Sequence, residues 1–358
     1  MSVQAVSAQE AMQRMAIPLG TPGGYSTIID ARSEDEFALD HLPDAVNWPS
    51  LNNEQRITIG TLYKQVNSFE AKKRGAALVA ANIAQHIERH VIELPRDWQP
   101  LVYCWRGGKR SGSLALILGQ IGFKVAIIEG GYKAFRSQVM AAIPALAQGL
   151  SWRVICGPTG AGKTRLLHCL REQGAQVLDL EGLANHRSSV LGIVPGHPQP
   201  SQKHFDTLLW NELRLLDPSK PVYIESESRK VGNLAVPESL IVAMRASPCY
   251  KLELPEEERV QLLLEDYDFF VKDPDLFSKR LDALVAIRGK QVVDEWQRLI
   301  QAGEIHTVVR ELLTTHYDPT YFASMKRNFE HIDQAKIITA ADRSQASMTQ
   351  LAKALVLT

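Results

Sequence analysis

The side chain best placed to act as a nucleophile is Cys104, because a glycine-rich, cationic run adjoins it: Trp105, Arg106, Gly107, Gly108, Lys109, Arg110 and then Ser111. The preceding PLVYC has the apolar pattern of a buried strand, and the following SLALILGQIG has the spacing of an amphipathic helix. A glycine-rich turn between strand and helix points successive backbone N–H groups inward and makes a nest for an anion at the helix N-terminus. Arg106, Lys109 and Arg110, together with that helix end, are expected to lower the thiol pKa and favour the thiolate, which is the nucleophilic form. The expectation also requires that an approaching substrate can reach the sulfur. Cys156 and Cys169, in an apolar strand and on a helix, read instead as core side chains. With Cys249 they complete a set of four that lacks metal-ligand spacing and disulfide density, so reduced thiols are expected.

A second glycine loop runs through Gly157, Pro158, Thr159, Gly160, Ala161, Gly162, Lys163 and Thr164. It comes after the strand-like WRVIC and precedes the helical RLLHCLREQG, the context in which G-x-x-x-x-G-K-[ST] cradles phosphates. The three glycines let N–H groups face phosphate oxygens, Lys163 bridges those oxygens, and the Thr164 hydroxyl reaches a Mg²⁺ ion where one is bound. Such a loop reads phosphates rather than adenosine, so the pattern leaves open ATP or another diphosphate. Asp179 and Glu181, at the end of AQVLDL, and Glu225, at the end of PVYIES, stand where such folds hold metal-orienting or base carboxylates. Carboxylates are as common in exposed loops at strand ends, and no residue set here demands a metal.

The elements that must position these loops alternate. STIID, the helical RSEDEFALDH, the turn LPDAVNWP, a polar helical stretch over 51–99, PLVYC and VAIIEGG make strand and helix succeed one another, which predicts a parallel sheet in an α/β domain. After a helix ending near Gly149 the chain restarts at WRVIC and continues through AQVLDL, HFDTLLWNELRLL, PVYIES and PCYKLEL. From Pro255 onward the pattern is almost wholly helical, with Pro255 at a first helical position and Glu256, Glu257 and Glu258 complementing the helix dipole. The 358 residues exceed what one hydrophobic core usually supports, so two domains are expected, over 1–148 and 149–358.

Composition narrows the function classes. With 45% hydrophobic and 22% charged residues the chain is globular. Lys plus Arg and Asp plus Glu both total 40, so any nucleic acid must be held by a local patch rather than a global field. Candidates are Lys72, Lys73, Arg74, Arg187, Arg229, Lys230, Lys326 and Arg327. The beginning lacks a secretory pattern and no apolar run is long enough for a membrane helix, so a cytoplasmic protein without a membrane partner is expected. Oligomeric state has no signature in the sequence.

The stretches IIDARSEDEFALDHLPDAVNWP and VYCWRGGKRSGSLALILGQIGFKVAIIEGGYKAF resemble the two signature regions of rhodanese domains, whose cysteine carries sulfur or selenium. Asp30 and Arg32 match the acid and arginine of the first region, and His41 and Pro43 match its turn. The loop is longer than in common sulfurtransferases and also resembles phosphatases and arsenate reductases on the same scaffold. A selenophosphate, a thiophosphate or a phosphoester would fit it, so spacing does not choose between transfer and hydrolysis. Together with CGPTGAGKT, LDLEGLANHR and YIESES, the chain resembles the bacterial tRNA 2-selenouridine synthase family, a rhodanese-like domain followed by a P-loop NTPase-like α/β domain with a helical C-terminal region. It departs from that family at HRSSVLG, with Ser188 where a glycine and Leu191 where an aromatic residue are expected.

The resemblance implies a tRNA-modifying transferase that converts wobble 2-thiouridine to 2-selenouridine. Geranyl diphosphate first alkylates the sulfur, and selenium from selenophosphate then replaces the thioether. Selenophosphate and geranyl diphosphate are the implied co-substrates and tRNA the implied partner, with Cys104 handling selenium. The alternatives are an ATP-dependent kinase, with Asp179 as acceptor base and Lys163 on ATP, and a rhodanese-type phosphatase with a nucleotide-binding domain.

Overall fold

Short apolar runs bounded by glycine, proline and acidic residues become the strands of two parallel sheets. The computed structural model describes residues 3–357 except 188, 190, 193 and 194, so the departure at Ser188 lies outside the described residues. The chain divides into two compact units, 1–142 with 200–211 and 143–199 with 212–358.

In the first unit the strands β1 (Val3–Val6), β2 (Thr27–Asp30), β3 (Ala45–Asn47), β4 (Pro100–Tyr103) and β5 (Val125–Ile128) form a sheet of order β1-β5-β4-β2-β3. All pairings are parallel. β4 is buried at every residue, as a central parallel strand covered on both faces must be. Ile83 of the helix Ser68–His90 and Leu114 and Leu118 of the helix Lys109–Ile121 pack with Ile29, Val102 and Val125 into one core. Each such side chain contributes roughly 1.5–3 kcal/mol on burial. The register sets Asp30 beside Tyr103, so β2 ends next to the start of the cysteine loop. No sequence pattern announces β1: half of VQAV is exposed, and pairing with β5 makes it a strand.

The segment 200–211, distant in sequence, belongs to this same unit. The Thr207 hydroxyl donates to the buried Asp40 carboxylate at 3.1 Å, Arg136 pairs with Asp206, and Trp210 meets Phe135 edge-on.

The second unit holds β6 (Ser151–Cys156), β7 (Gln176–Leu178), β8 (Pro221–Glu225), the short hairpin β9 (Lys230–Val231) and β10 (Leu234–Ala235), β11 (Cys249–Glu253) and β12 (Lys336–Thr339). Its main sheet has the order β12-β11-β6-β8-β7, all parallel. β6 lies between β8 and β11, and ligands of open parallel sheets bind beyond the carboxyl ends of strands at such a position. AQVLDL is a strand only over Gln176–Leu178; Asp179 then caps the helix Leu180–Ala184, accepting from Gly182 N at 2.7 Å.

The helical C-terminal region is real, with Phe270, Phe277, Leu281, Trp296, Ile300 and Leu312 in a core of their own that also contains Leu191. Two details differ from what the sequence predicts. Pro255 is the N-cap of the helix Glu256–Asp266 rather than its first residue, and KIIT returns as β12 to extend the sheet beside β11. That late strand is half polar and exposed, so it carries no local pattern apart from its pairing.

Candidate active sites: a cysteine loop and a phosphate loop

The Cys104 loop is built by its backbone. Gly107 and Gly131 both have left-handed φ, +66° and +58°, and a Cβ at Gly131 would run into the Cys104 carbonyl oxygen. This close approach lets Tyr132 N donate to Cys104 O at 2.8 Å and Lys133 N to Trp105 O at 3.1 Å. The Cys104 residue is only 3% exposed, and its Sγ accepts from Gly108 N–H at 3.2 Å and from the Ser111 hydroxyl at 3.1 Å. The sulfur thus lies at the floor of a loop whose rim, Arg106, Gly108 and Lys109, is exposed.

Arg110 does not point its charge freely at an anion: it pairs with Glu36 at 2.6 Å. Burial pushes the Glu36 carboxyl up, but the Arg110 hydrogen bonds and charge outweigh it and hold the group below the usual range. Trp105 stacks on Tyr132, and Lys203, from the segment 200–211, stands 5.9 Å from the Trp105 ring. The sequence offered no sign of Lys203, since it lies about a hundred positions downstream.

Asp30 and Arg32 form a latch beneath this loop. Arg32 Nη2 lies 2.6 Å from Asp30 Oδ2 and also 2.6 Å from the Asp40 carbonyl, with both side chains almost fully buried. Burial alone would weaken the guanidinium charge; the bonds and charge of Asp30 more than reverse this and raise the Arg32 pKa. The guanidinium lies 4.0 Å from the Tyr132 ring centre, so the latch connects to the residue that bonds the Cys104 carbonyl. His41 stacks on Phe37 and bonds its carbonyl at 2.9 Å. These motif residues shape the turn; none of these contacts involves the sulfur.

In the phosphate loop Gly160 and Gly162 have φ of +76° and +85°, and Gly162 is the N-cap of the helix Lys163–Glu172. Lys163 Nζ donates to Gly157 O at 2.9 Å, while Gly157 N donates to the Tyr321 hydroxyl at 2.6 Å. Arg259, itself paired with Asp318, donates to Thr159 O at 2.8 and 3.0 Å and fixes the loop from outside. Burial pushes the Tyr321 phenol up. Tyr321 and Arg259 come from the helical region, and no local pattern connects them to the loop.

Thr164 Oγ1 lies 3.2 Å from Glu181 Oε2 and 3.4 Å from Glu225 Oε2. Oxygens of Glu181, Glu225 and Glu227 come within 4.8 Å of one another. Glu227, two residues beyond Glu225 in YIESES, was legible as its neighbour but not as its partner. Glu225 is 0% exposed, its Oε1 has no hydrogen-bond partner among the described residues, and burial, with the charges of Glu181 and Glu227, holds its carboxyl well above the usual range. Hard oxygen donors alone with one orphaned oxygen suit a Mg²⁺-like ion. Asp179 stays outside this group, spent on the helix cap and on His168 at 3.1 Å.

The loop opens on a cavity of about 1230 Å³ lined by Lys163, Thr164, His168, Glu181, Arg187 and Lys230 among others. The candidate cations therefore separate. Arg187 stands 4.7 Å over the Tyr267 ring and donates to the Asp266 carbonyl, and Lys230 shares the same cavity. Arg229 is exposed and paired with Glu238 at 3.0 Å. Lys72, Lys73 and Arg74 lie exposed on the helix Ser68–His90 of the first unit, Lys73 paired with Glu70. Lys326 and Arg327 are exposed in the last turn of the helix Asp318–Asn328.

A cysteine nest on one parallel sheet and a phosphate loop on another define a rhodanese-type module joined to a P-loop module. Residues 7–138 match the rhodanese-like domain family, and residues 150–279 match the family described as the tRNA 2-selenouridine synthase AAA domain. A protein of Nitrosomonas europaea named tRNA 2-selenouridine synthase is 32% identical over 347 residues, covering 84% of this chain and 89% of the relative. Its namesake in Nitrosomonas eutropha is 36% identical, covering 84% and 88%, and that of Sulfurovum sp. is 34% identical, covering 85% and 90%. The chain belongs to the tRNA 2-selenouridine synthase family.

Proposed function

We propose that this enzyme converts 2-thiouridine at the wobble position of tRNA to 2-selenouridine, with geranyl diphosphate and selenophosphate as co-substrates. Family membership supports tRNA as substrate and selenium as the incoming element. In the first step the 2-thio sulfur attacks C1 of geranyl diphosphate, the C–O bond breaks, and diphosphate leaves with the electron pair. Lys163 and the loop N–H groups bind that leaving group as its charge develops. A divalent cation held by Thr164, Glu181, Glu225 and Glu227 would neutralise part of the same charge. In the second step the selenium of selenophosphate, already at the selenide level, attacks C2 of the alkylated base. The C2–S bond breaks and geranyl thiol departs with its electron pair, a far better leaving group than a sulfur doubly bonded to the ring. Water then cleaves the Se–P bond to release phosphate. Cys104 handles the selenium donor as a thiolate, which Gly108 N–H and the Ser111 hydroxyl hold in place without any change of its oxidation state.

The observation that carries this reading is the phosphate-loop cavity, whose volume of about 1230 Å³ lies above the ~300–1,000 Å³ of ordinary small-molecule sites and exceeds what a diphosphate alone would fill. Incubation of tRNA with both co-substrates, followed by mass spectrometry of its nucleosides, tests it. Cys104→Ala is expected to keep geranylation and lose selenium, and Lys163→Ala to lose geranylation. Unchanged selenium incorporation by the cysteine variant would reject the assignment.

A further inference from the structure

Beside the phosphate loop lies a second, apolar space of about 50 Å³, walled at depth by Phe270, Phe277 and Leu312. Leu263, Tyr267 and Tyr317 line both this pocket and the large polar cavity, and so does Thr159 of the phosphate loop itself. The two spaces are therefore adjacent. No charged side chain lines the smaller one among the described residues, and an apolar cavity of this kind stays dry and accepts hydrocarbon. Burial pushes the Tyr267 phenol up to about 12, so the ring at the shared wall stays neutral, while Arg187 stands over it at 4.7 Å. Charge thus changes across one residue, from cationic on the cavity side to apolar on the pocket side. The wall that supplies Leu312 and Tyr317 is a π-helix, Leu312–Tyr317, a widened turn often found at functional sites.

We infer that this pocket holds the branched end of the hydrocarbon tail of a prenyl diphosphate whose diphosphate lies on the Lys163 loop. The inference rests on the proposed function and adds where its alkyl donor binds. The pocket admits the terminal dimethyl group, and the rest of the chain lies along the shared wall of Leu263 and Tyr267. Hydrocarbon contact, rather than phosphate contact, then sets the preference for a prenyl donor over inorganic pyrophosphate.

The test compares binding of geranyl diphosphate and of inorganic pyrophosphate to the whole protein by calorimetry. Val309 and Val271 line the pocket, the first half-buried and the second exposed, so both positions tolerate a larger side chain. Val309→Trp fills the pocket from its side and Val271→Trp from the rim, and the rim variant serves if the other does not fold. Expected is tighter binding of geranyl diphosphate than of pyrophosphate by the native protein, with that advantage cut tenfold or more in the variants and pyrophosphate binding unchanged. A folded variant that keeps the full advantage overturns the pocket assignment, as does a native protein with none. Pyrophosphate binding that survives Lys163→Ala would instead overturn the phosphate-loop reading, so the two failures are told apart.

Discussion

The two glycine loops share a plan and differ in what their donors hold. Each succeeds a parallel strand, turns on left-handed glycines and opens a helix. In the cysteine loop the donors converge on the protein's own sulfur, one cation is spent on Glu36, and the others sit on the rim. In the phosphate loop the donors are engaged with exchangeable partners: Lys163 with a loop carbonyl and Gly157 N–H with Tyr321. One loop gathers its donors on a sulfur of the protein's own; the other holds its donors on a loop carbonyl and a phenol. The same local geometry therefore serves opposite charge logic, decided by whether an acidic or sulfur group is built into the nest.

The largest expected effect of breaking this arrangement is on the latch beneath the cysteine loop. Arg32→Ala leaves Asp30 buried and unpaired, a loss of about 3–5 kcal/mol, read by urea unfolding followed by tryptophan fluorescence. Arg32→Lys keeps the charge but not the fork and is expected to recover only part of it. A loss below about 1 kcal/mol would mean that the loop stands without its latch. Next comes Gly131→Ala, which combines a left-handed residue costing about 1–2 kcal/mol with a clash at the Cys104 carbonyl. Gly122→Ala is the control, since its φ is +117° but nothing lies within 4 Å of its Cβ. Selenium incorporation should fall at least tenfold in the first variant and hold in the second, with pyrophosphate binding intact in both. Equal activity of the two would show that the 129–131 turn does not shape the sulfur site.

How much of the molecule was legible in the sequence depends on how local each signal is. Both loops, their flanking strands and the order of elements were readable because strand, glycine turn and helix are contiguous in each case. Residues brought in from afar were not. Lys203 reaches Trp105 because the segment 200–211 joins the first unit, and Tyr321 and Arg259 grip the phosphate loop from helices far downstream in the chain. Asp179 shows how much position alone leaves open: its place after a strand was clear, but not that it accepts the cap bond of Gly182 and meets His168 at the wall of the same cavity. Leu191, where an aromatic residue was expected from the resemblance, is buried with Phe270 and Phe277 in an apolar core, a place that no local pattern announces.

The smallest expected effect concerns the buried carboxylate beside the phosphate loop and separates the loops cleanly, because Asp30 beneath the cysteine loop is paired with Arg32 whereas Glu225 Oε1 has no hydrogen-bond partner among the described residues. Glu225 ionises near 4.5 when exposed, whereas burial and the charges of Glu181 and Glu227 raise its folded-state pKa well above that. Between those values the native state binds the extra proton, so the stability this one group contributes is fully present below about pH 4.5 and is lost as pH rises through the window, by at most about 1.4 kcal/mol per unit. Glu225→Gln, which cannot ionise, should flatten this decline and raise the melting temperature near neutral pH. Mg²⁺ should stabilise the native protein more as pH rises, because it favours the ionised carboxylate, and should lose most of that effect in Glu225→Gln. Thermal melts over pH 5 to 8 with and without Mg²⁺ decide the matter. A variant that responds to Mg²⁺ like the native protein places the cation elsewhere and leaves Glu225 as a buried acid that serves the fold alone.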